Sequence, residues 1–143
     1  MSKIEVFGGS FYKRGKVLKI AEEIAKILRI KERVNIYLVS EQEIKELNTK
    51  YRKKPKPTNV LSFPSDSNFL YPEKEKVLGE IFLSWQFAKK EAKEFKVAFE
   101  EWLTKLLIHS FLHLLGFTHN SDRNYRIMSK KEKEIFKKIK SKS

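Results

Sequence analysis

The chain contains no cysteine. That excludes disulfides, cysteine-rich zinc ribbons and thiol nucleophiles together. It also has no uninterrupted apolar run long enough to span a membrane. The opening stretch MSKIEVFGGSFYKRG lacks the apolar core of a secretory signal. A soluble intracellular protein is the expectation. Glycine and proline are sparse, at 5 and 4 residues, and neither an internal repeat nor a long linker breaks the chain. Acidic residues are also short: 18 Asp and Glu face 31 Lys and Arg, a formal net charge of +13. A field that strong on 143 residues favours polyanionic partners, nucleic acid before an anionic membrane. Hydrophobic residues make up 41%, enough for a real core and too many for a disordered chain. The length suits one domain over residues 1–143.

Periodicity predicts four strands and five helices. Residues 4–7 (IEVF) read as a short strand before the Gly8-Gly9 turn. Val17, Ile20, Ala21, Ile24 and Leu28 recur at helical spacing between Lys16 and Ile30. Residues 33–39 alternate as a strand. Ser40 and Glu43 form a capping box that opens a helix to about Tyr51. The two prolines of KKPKPT, residues 53–58, make a loop. NVLSF at 59–63 is a third strand, residues 65–76 a loose loop, and VLGEIFLS at 77–84 a fourth strand with Gly79 as a candidate bulge. Helices follow over 85–95, capped by Ser84, over about Val97–Leu115, and over about Asp122–Lys140. This order points to an α+β fold, a small sheet layered with helices.

Histidine is rare, and its placement is informative. All three histidines fall in LLIHSFLHLLGFTH, residues 106–119. His109 and His113 are four apart and share one helix face. His119 would lie off that face on a continuing helix. Gly116 accepts the left-handed conformation that ends a helix, so the chain can turn and bring His119 back. The segment is apolar nearly all round, which predicts burial. Buried imidazoles need partners, and a divalent cation shared by all three supplies them. Three nitrogen ligands suit an open, catalytic zinc site, since structural zinc takes four; nickel, cobalt or copper are alternatives. Asp122 or Asp66 could supply a hidden fourth ligand. The position after the first histidine, glutamate in the H-E-x-x-H peptidases, is Ser110 here, which disfavours peptide hydrolysis by that route.

HSFLHLLGFTH resembles the histidine motif of the YbeY family, bacterial metal-dependent endoribonucleases implicated in ribosomal RNA maturation. LNTKYR (47–52), TNVLSFP (58–64) and LGEIFLS (78–84) resemble three further blocks of that family, in order. Ser110 stands where the family has glycine, and Asn59 and Thr118 where it has aspartate. The change before His119 bears on the support of that ligand. The resemblance implies an α+β domain with a four-stranded mixed sheet and one zinc ion at His109, His113 and His119. It also implies a cytoplasmic protein near the ribosome, with RNA and a ribosomal protein as expected partners. Arg52 matches the family's arginine and is the candidate for stabilising phosphoryl charge. Lys53, Lys54 and Lys56 could follow an RNA backbone. Glu80 is a candidate general base, a carboxylate supporting the metal ligands from behind, or a strand-end salt bridge. Ser62 and Asn59 read as structural and Met128 as core. Two other functions are open at this point: a zinc metallopeptidase, and a ribosome-associated assembly factor whose zinc is structural.

Overall fold

The computed structural model describes residues 3–65 and 76–141. The elements run β1 (Lys3–Phe7), α1 (Phe11–Leu28), β2 (Arg33–Leu38), α2 (Glu41–Arg52), β3 (Val60–Pro64), β4 (Val77–Leu83), α3 (Trp85–Phe95), α4 (Phe99–Leu114) and α5 (Asp122–Ser141). The four strands form one sheet in the order β1-β2-β4-β3. β1, β2 and β4 are parallel, and β3 joins β4 antiparallel at the edge. This is the expected α+β architecture with a mixed sheet. The expected loose loop at 65–76 lies almost wholly outside the described residues.

α1 begins earlier than its apolar spacing predicts. Ser10 caps it by accepting from the Lys13 backbone N–H, and the first turn carries Phe11 and Tyr12 outward, 85% and 68% exposed. Hydrophobic periodicity cannot see a turn whose side chains stay largely exposed. α2 opens on the expected capping box, with Ser40 and Glu43 bonded reciprocally.

The core lies between the sheet and α1, α4 and α5. α4 supplies Leu103, Leu106, Leu107, Ile108, Phe111, Leu112 and Leu114, all buried. Val34, Ile36, Ile81 and Leu83 meet it from the sheet, and Met128 and Ile135 from α5. Met128 is therefore a core side chain. Gly79 sets how closely α4 approaches. A Cβ there would lie 2.5 Å from both Leu114 Cδ2 and the Phe63 carbonyl oxygen. The β2–β4 register slips at this point, Arg33 pairing with Val77 and Val34 with Gly79. The expected irregularity at Gly79 is thus present, and it seats the end of α4 against the sheet.

Candidate metal centre

α4 ends in a paired set of hydrogen bonds. Gly116 N–H donates to the His113 carbonyl and Phe117 N–H to the Leu112 carbonyl, both at 3.0 Å. Gly116 has φ +98°. This is the glycine-terminated helix end that the spacing predicts, and it reverses the chain so that His119 faces His109 and His113. Ring centroids are 4.5 Å apart for His109–His113, 5.0 Å for His113–His119 and 5.5 Å for His109–His119. One nitrogen from each ring lies within 4.8 Å of the other two.

The donor chemistry fits a cation. His109 Nδ1 donates to Glu132 Oε2 on α5 at 3.0 Å, which leaves Nε2 as an acceptor facing the cluster. The Phe117 backbone also hydrogen-bonds the His113 ring. The two Nε2 atoms stand 3.1 Å apart. That spacing suits either one N–H shared between the rings or a cation held between two lone pairs. Nitrogens on a tetrahedral zinc with ~2.0–2.1 Å bonds lie roughly 3.3 Å apart. Burial first, then the charges of His109 and His119, hold the His113 imidazole below its ordinary pKa; the Phe117 backbone opposes this and Arg52 adds to it. Each of the lowering causes favours the neutral, ligating form.

The histidines are not deeply buried, contrary to the expectation from the apolar segment. His109 and His113 are half-buried and His119 is exposed. A helix whose apolar residues fill most of its circumference still has one seam, and the i, i+4 pair occupies it at the open end of α4. The cluster is accordingly accessible rather than sealed.

Several sequence candidates fall elsewhere. Ser110 is buried and donates to the Leu106 carbonyl at 3.0 Å, so its side chain does not join the histidines. Glu80 accepts a 3.0 Å bond from the Tyr37 hydroxyl. It alternates with Gly79 and Ile81, which face α4, and so lies on the other side of the sheet. Asn59 bonds Glu91, which also accepts from Trp102 Nε1, and it lines one cavity with His109 and Glu132. Ser62 is buried opposite Ile81. Asp122 is exposed in the first turn of α5 and is not among the clustered ligands, and Asp66 lies outside the described residues. Arg52, at the last residue of α2, is exposed and close enough for its charge to act on His113. Lys53, Lys54 and Lys56 are exposed just beyond it.

Two supports stand behind the histidines. Glu132 is one of many charged residues on an amphipathic helix, and only the packing of α5 on α4 brings it to His109. Thr118 belongs to a small polar network: it donates to Asn120 and accepts from Asn124, whose amide also reaches Asn120 at 2.9 Å. That network ties the loop before His119 to α5, at a position where sequence resemblance leads one to expect aspartate.

The family model described as Endoribonuclease YbeY matches residues 11–140. The endoribonuclease YbeY of Aliarcobacter butzleri is 42% identical over 119 residues, 83% of this chain and 81% of that protein. That of Pelagibacter ubique is 38% identical over 126 residues, 88% and 82%. A solution structure of a Thermotoga maritima protein covers 99% of this chain and 93% of its own, at 31% identity and a TM-score of 0.62. The three clustered histidines thus sit in a chain that belongs to the YbeY endoribonuclease family.

Proposed function

We propose that this chain is a metal-dependent endoribonuclease that hydrolyses single-stranded RNA, with ribosomal RNA maturation as its setting in the cytoplasm and a ribosomal protein as a partner. The observation that carries the reading is the convergence of His109, His113 and His119 on one point, with Glu132 behind His109. Zinc is the best match to three imidazoles without a carboxylate. When bound, it would supply Lewis acidity toward water and phosphoryl oxygens.

The chain's own residues do the rest. Glu132 fixes the tautomer and angle of His109. The Phe117 backbone holds the His113 ring through its hydrogen bond. The Thr118–Asn120–Asn124 network holds the segment carrying His119. Arg52 offers a planar guanidinium to the phosphoryl oxygens as negative charge builds on them. The exposure of His119 leaves room for an extended chain to reach the cluster. A peptidase reading loses support because Ser110 is turned into the core and places no base beside the first histidine.

The test is cleavage of a labelled ribosomal RNA fragment by zinc-loaded protein, beside His113→Ala purified identically. Cleavage by the wild type alone supports the proposal. Equal cleavage by both marks a contaminating nuclease. Zinc binding without any cleavage moves the reading to an RNA-binding assembly factor with structural metal.

A further inference from the structure

The end of the molecule away from the histidines carries a groove of about 680 Å³. Its walls come from the turns that leave the parallel strands: Gly9 after β1, Leu38 to Ser40 after β2, and Trp85 after β4. Lys13, Lys89, Lys90 and Lys93 line it, against one acidic residue, Glu43. Glu43 is occupied in the α2 capping box, and Lys90 is neutralised by Glu41 at 2.8 Å. Among the described residues, Lys13, Lys89 and Lys93 have no carboxylate within salt-bridge distance. Two of them are steadied on aromatic faces instead, Lys13 over Trp85 at 5.6 Å and Lys89 over Phe99 at 5.7 Å. Three helices also begin at this end, so the positive ends of their dipoles add to the field. Ser10, Ser40 and Ser84 already cap those helices, so the lysines carry the charge argument.

Aromatic rings accompany the charge. Phe11 and Tyr12 are exposed beside the groove. Tyr12 meets Trp85 edge-on at 6.5 Å, and Phe11 flanks a shallow depression with Lys19 and the Lys16–Glu100 ion pair. Unpaired bases stack on such rings while lysines follow the phosphates. A duplex would hide its base faces.

We infer that this groove is a second RNA-binding surface, which grips the phosphate chain of a single-stranded substrate at a distance from the metal cluster. Phe99, in contact with Trp85 at the groove, and His113 are joined by α4, whose rise puts them roughly 20 Å apart. The surface therefore selects substrates long enough to reach both places. The inference rests on the endoribonuclease reading for its choice of RNA, but its binding test does not need catalysis.

The test uses the whole protein with metal chelated by EDTA and a fluorescein-labelled single-stranded RNA. Anisotropy is compared for the wild type, for Lys13→Gln/Lys89→Gln/Lys93→Gln, and for Lys130→Gln/Lys137→Gln/Lys138→Gln. The last loses the same charge from exposed positions of α5. The groove variant should bind roughly tenfold or more weakly, with its log-salt slope reduced by about 2 for three lost single-strand phosphate contacts. The α5 variant should stay within about threefold of wild type. Phe11→Ala/Tyr12→Ala should weaken binding with the salt slope unchanged. Equal losses in the two lysine variants would show a diffuse field and overturn the inference, as would wild-type affinity in the groove variant or no RNA binding by the wild type. Zinc-loaded groove variant should then show a raised KM and unchanged kcat on long RNA, and wild-type kinetics on a tetranucleotide. Binding that behaves as stated, in a protein that cuts no RNA, would keep the groove and remove the endoribonuclease reading.

Discussion

Glu132 offers the sharpest test of the metal centre, because nothing in the sequence marks it and its contact is single and defined. Its Oε2 accepts from His109 Nδ1 at 3.0 Å, with the two side chains 31% and 34% exposed. Replacing it with alanine frees the His109 ring to rotate and to adopt the other tautomer, while the three ligand nitrogens all remain. Loss of such a carboxylate weakens a metal site by about 10–100-fold, or roughly 1.4–2.7 kcal/mol at 1.36 kcal/mol per decade. The partial exposure places this pair at the lower end, about tenfold, because water screens the carboxylate and can replace it. Glu132→Gln keeps an acceptor but removes the charge, so it should fall between alanine and wild type. The assay is competitive zinc titration against a chromophoric chelator at neutral pH, with circular dichroism to show that α5 is intact. A zinc affinity for Glu132→Ala within twofold of wild type would refute the claim that His109 is oriented from α5.

Three further outcomes follow from the structure. Arg52→Ala should lower kcat by about 10²-fold through lost charge stabilisation, while zinc affinity stays the same because Arg52 offers no ligand; single-turnover cleavage and the zinc titration read the two separately. Gly79→Ala should destabilise the fold by about 1–3 kcal/mol, since its Cβ would meet Leu114 and the Phe63 carbonyl at 2.5 Å; urea unfolding measures it, and a stability within 0.5 kcal/mol of wild type, about the scatter of ordinary surface changes, would contradict the close approach. In the metal-free protein, His113 resists protonation in the folded state but not in the unfolded one. Above about pH 6.5 both forms are neutral and the difference vanishes; below it the unfolded chain takes up the proton first, so stability falls as pH drops. His113→Gln should flatten that acid limb in urea titrations from pH 7 to 5.

Secondary structure was largely legible from residue order, for local reasons. The Ser40–Glu43 box, the Ser84 cap, the alternation in β2 and the apolar run of α4 each act within a few residues, and the elements fall where those signals put them. The start of α1 was not legible, because the side chains of its first turn stay largely exposed and so carry no core periodicity. The histidine cluster was readable from His109, His113 and Gly116, since an i, i+4 pair followed by a left-handed turn is a local geometry. Its depth was not: whether the pair faces core or cleft depends on which neighbours cover α4. Glu80 shows the same limit from the other side, since a carboxylate on a strand can face either side of the sheet, and here it meets Tyr37.

The sequence by itself determined the ligand types, their spacing, the turn that gathers them and the basic balance of the chain, because each depends on covalent order and short-range conformation. Tertiary structure alone decided that Glu132, thirteen residues beyond His119, stands behind His109, and that Arg52, from another layer, lies near enough for its charge to act on His113. It alone gathered Lys13, Lys89 and Lys93 at one end of the sheet. Those contacts join residues far apart in the chain, and they exist only because the buried faces of α4, α5 and the parallel strands fit together in one arrangement.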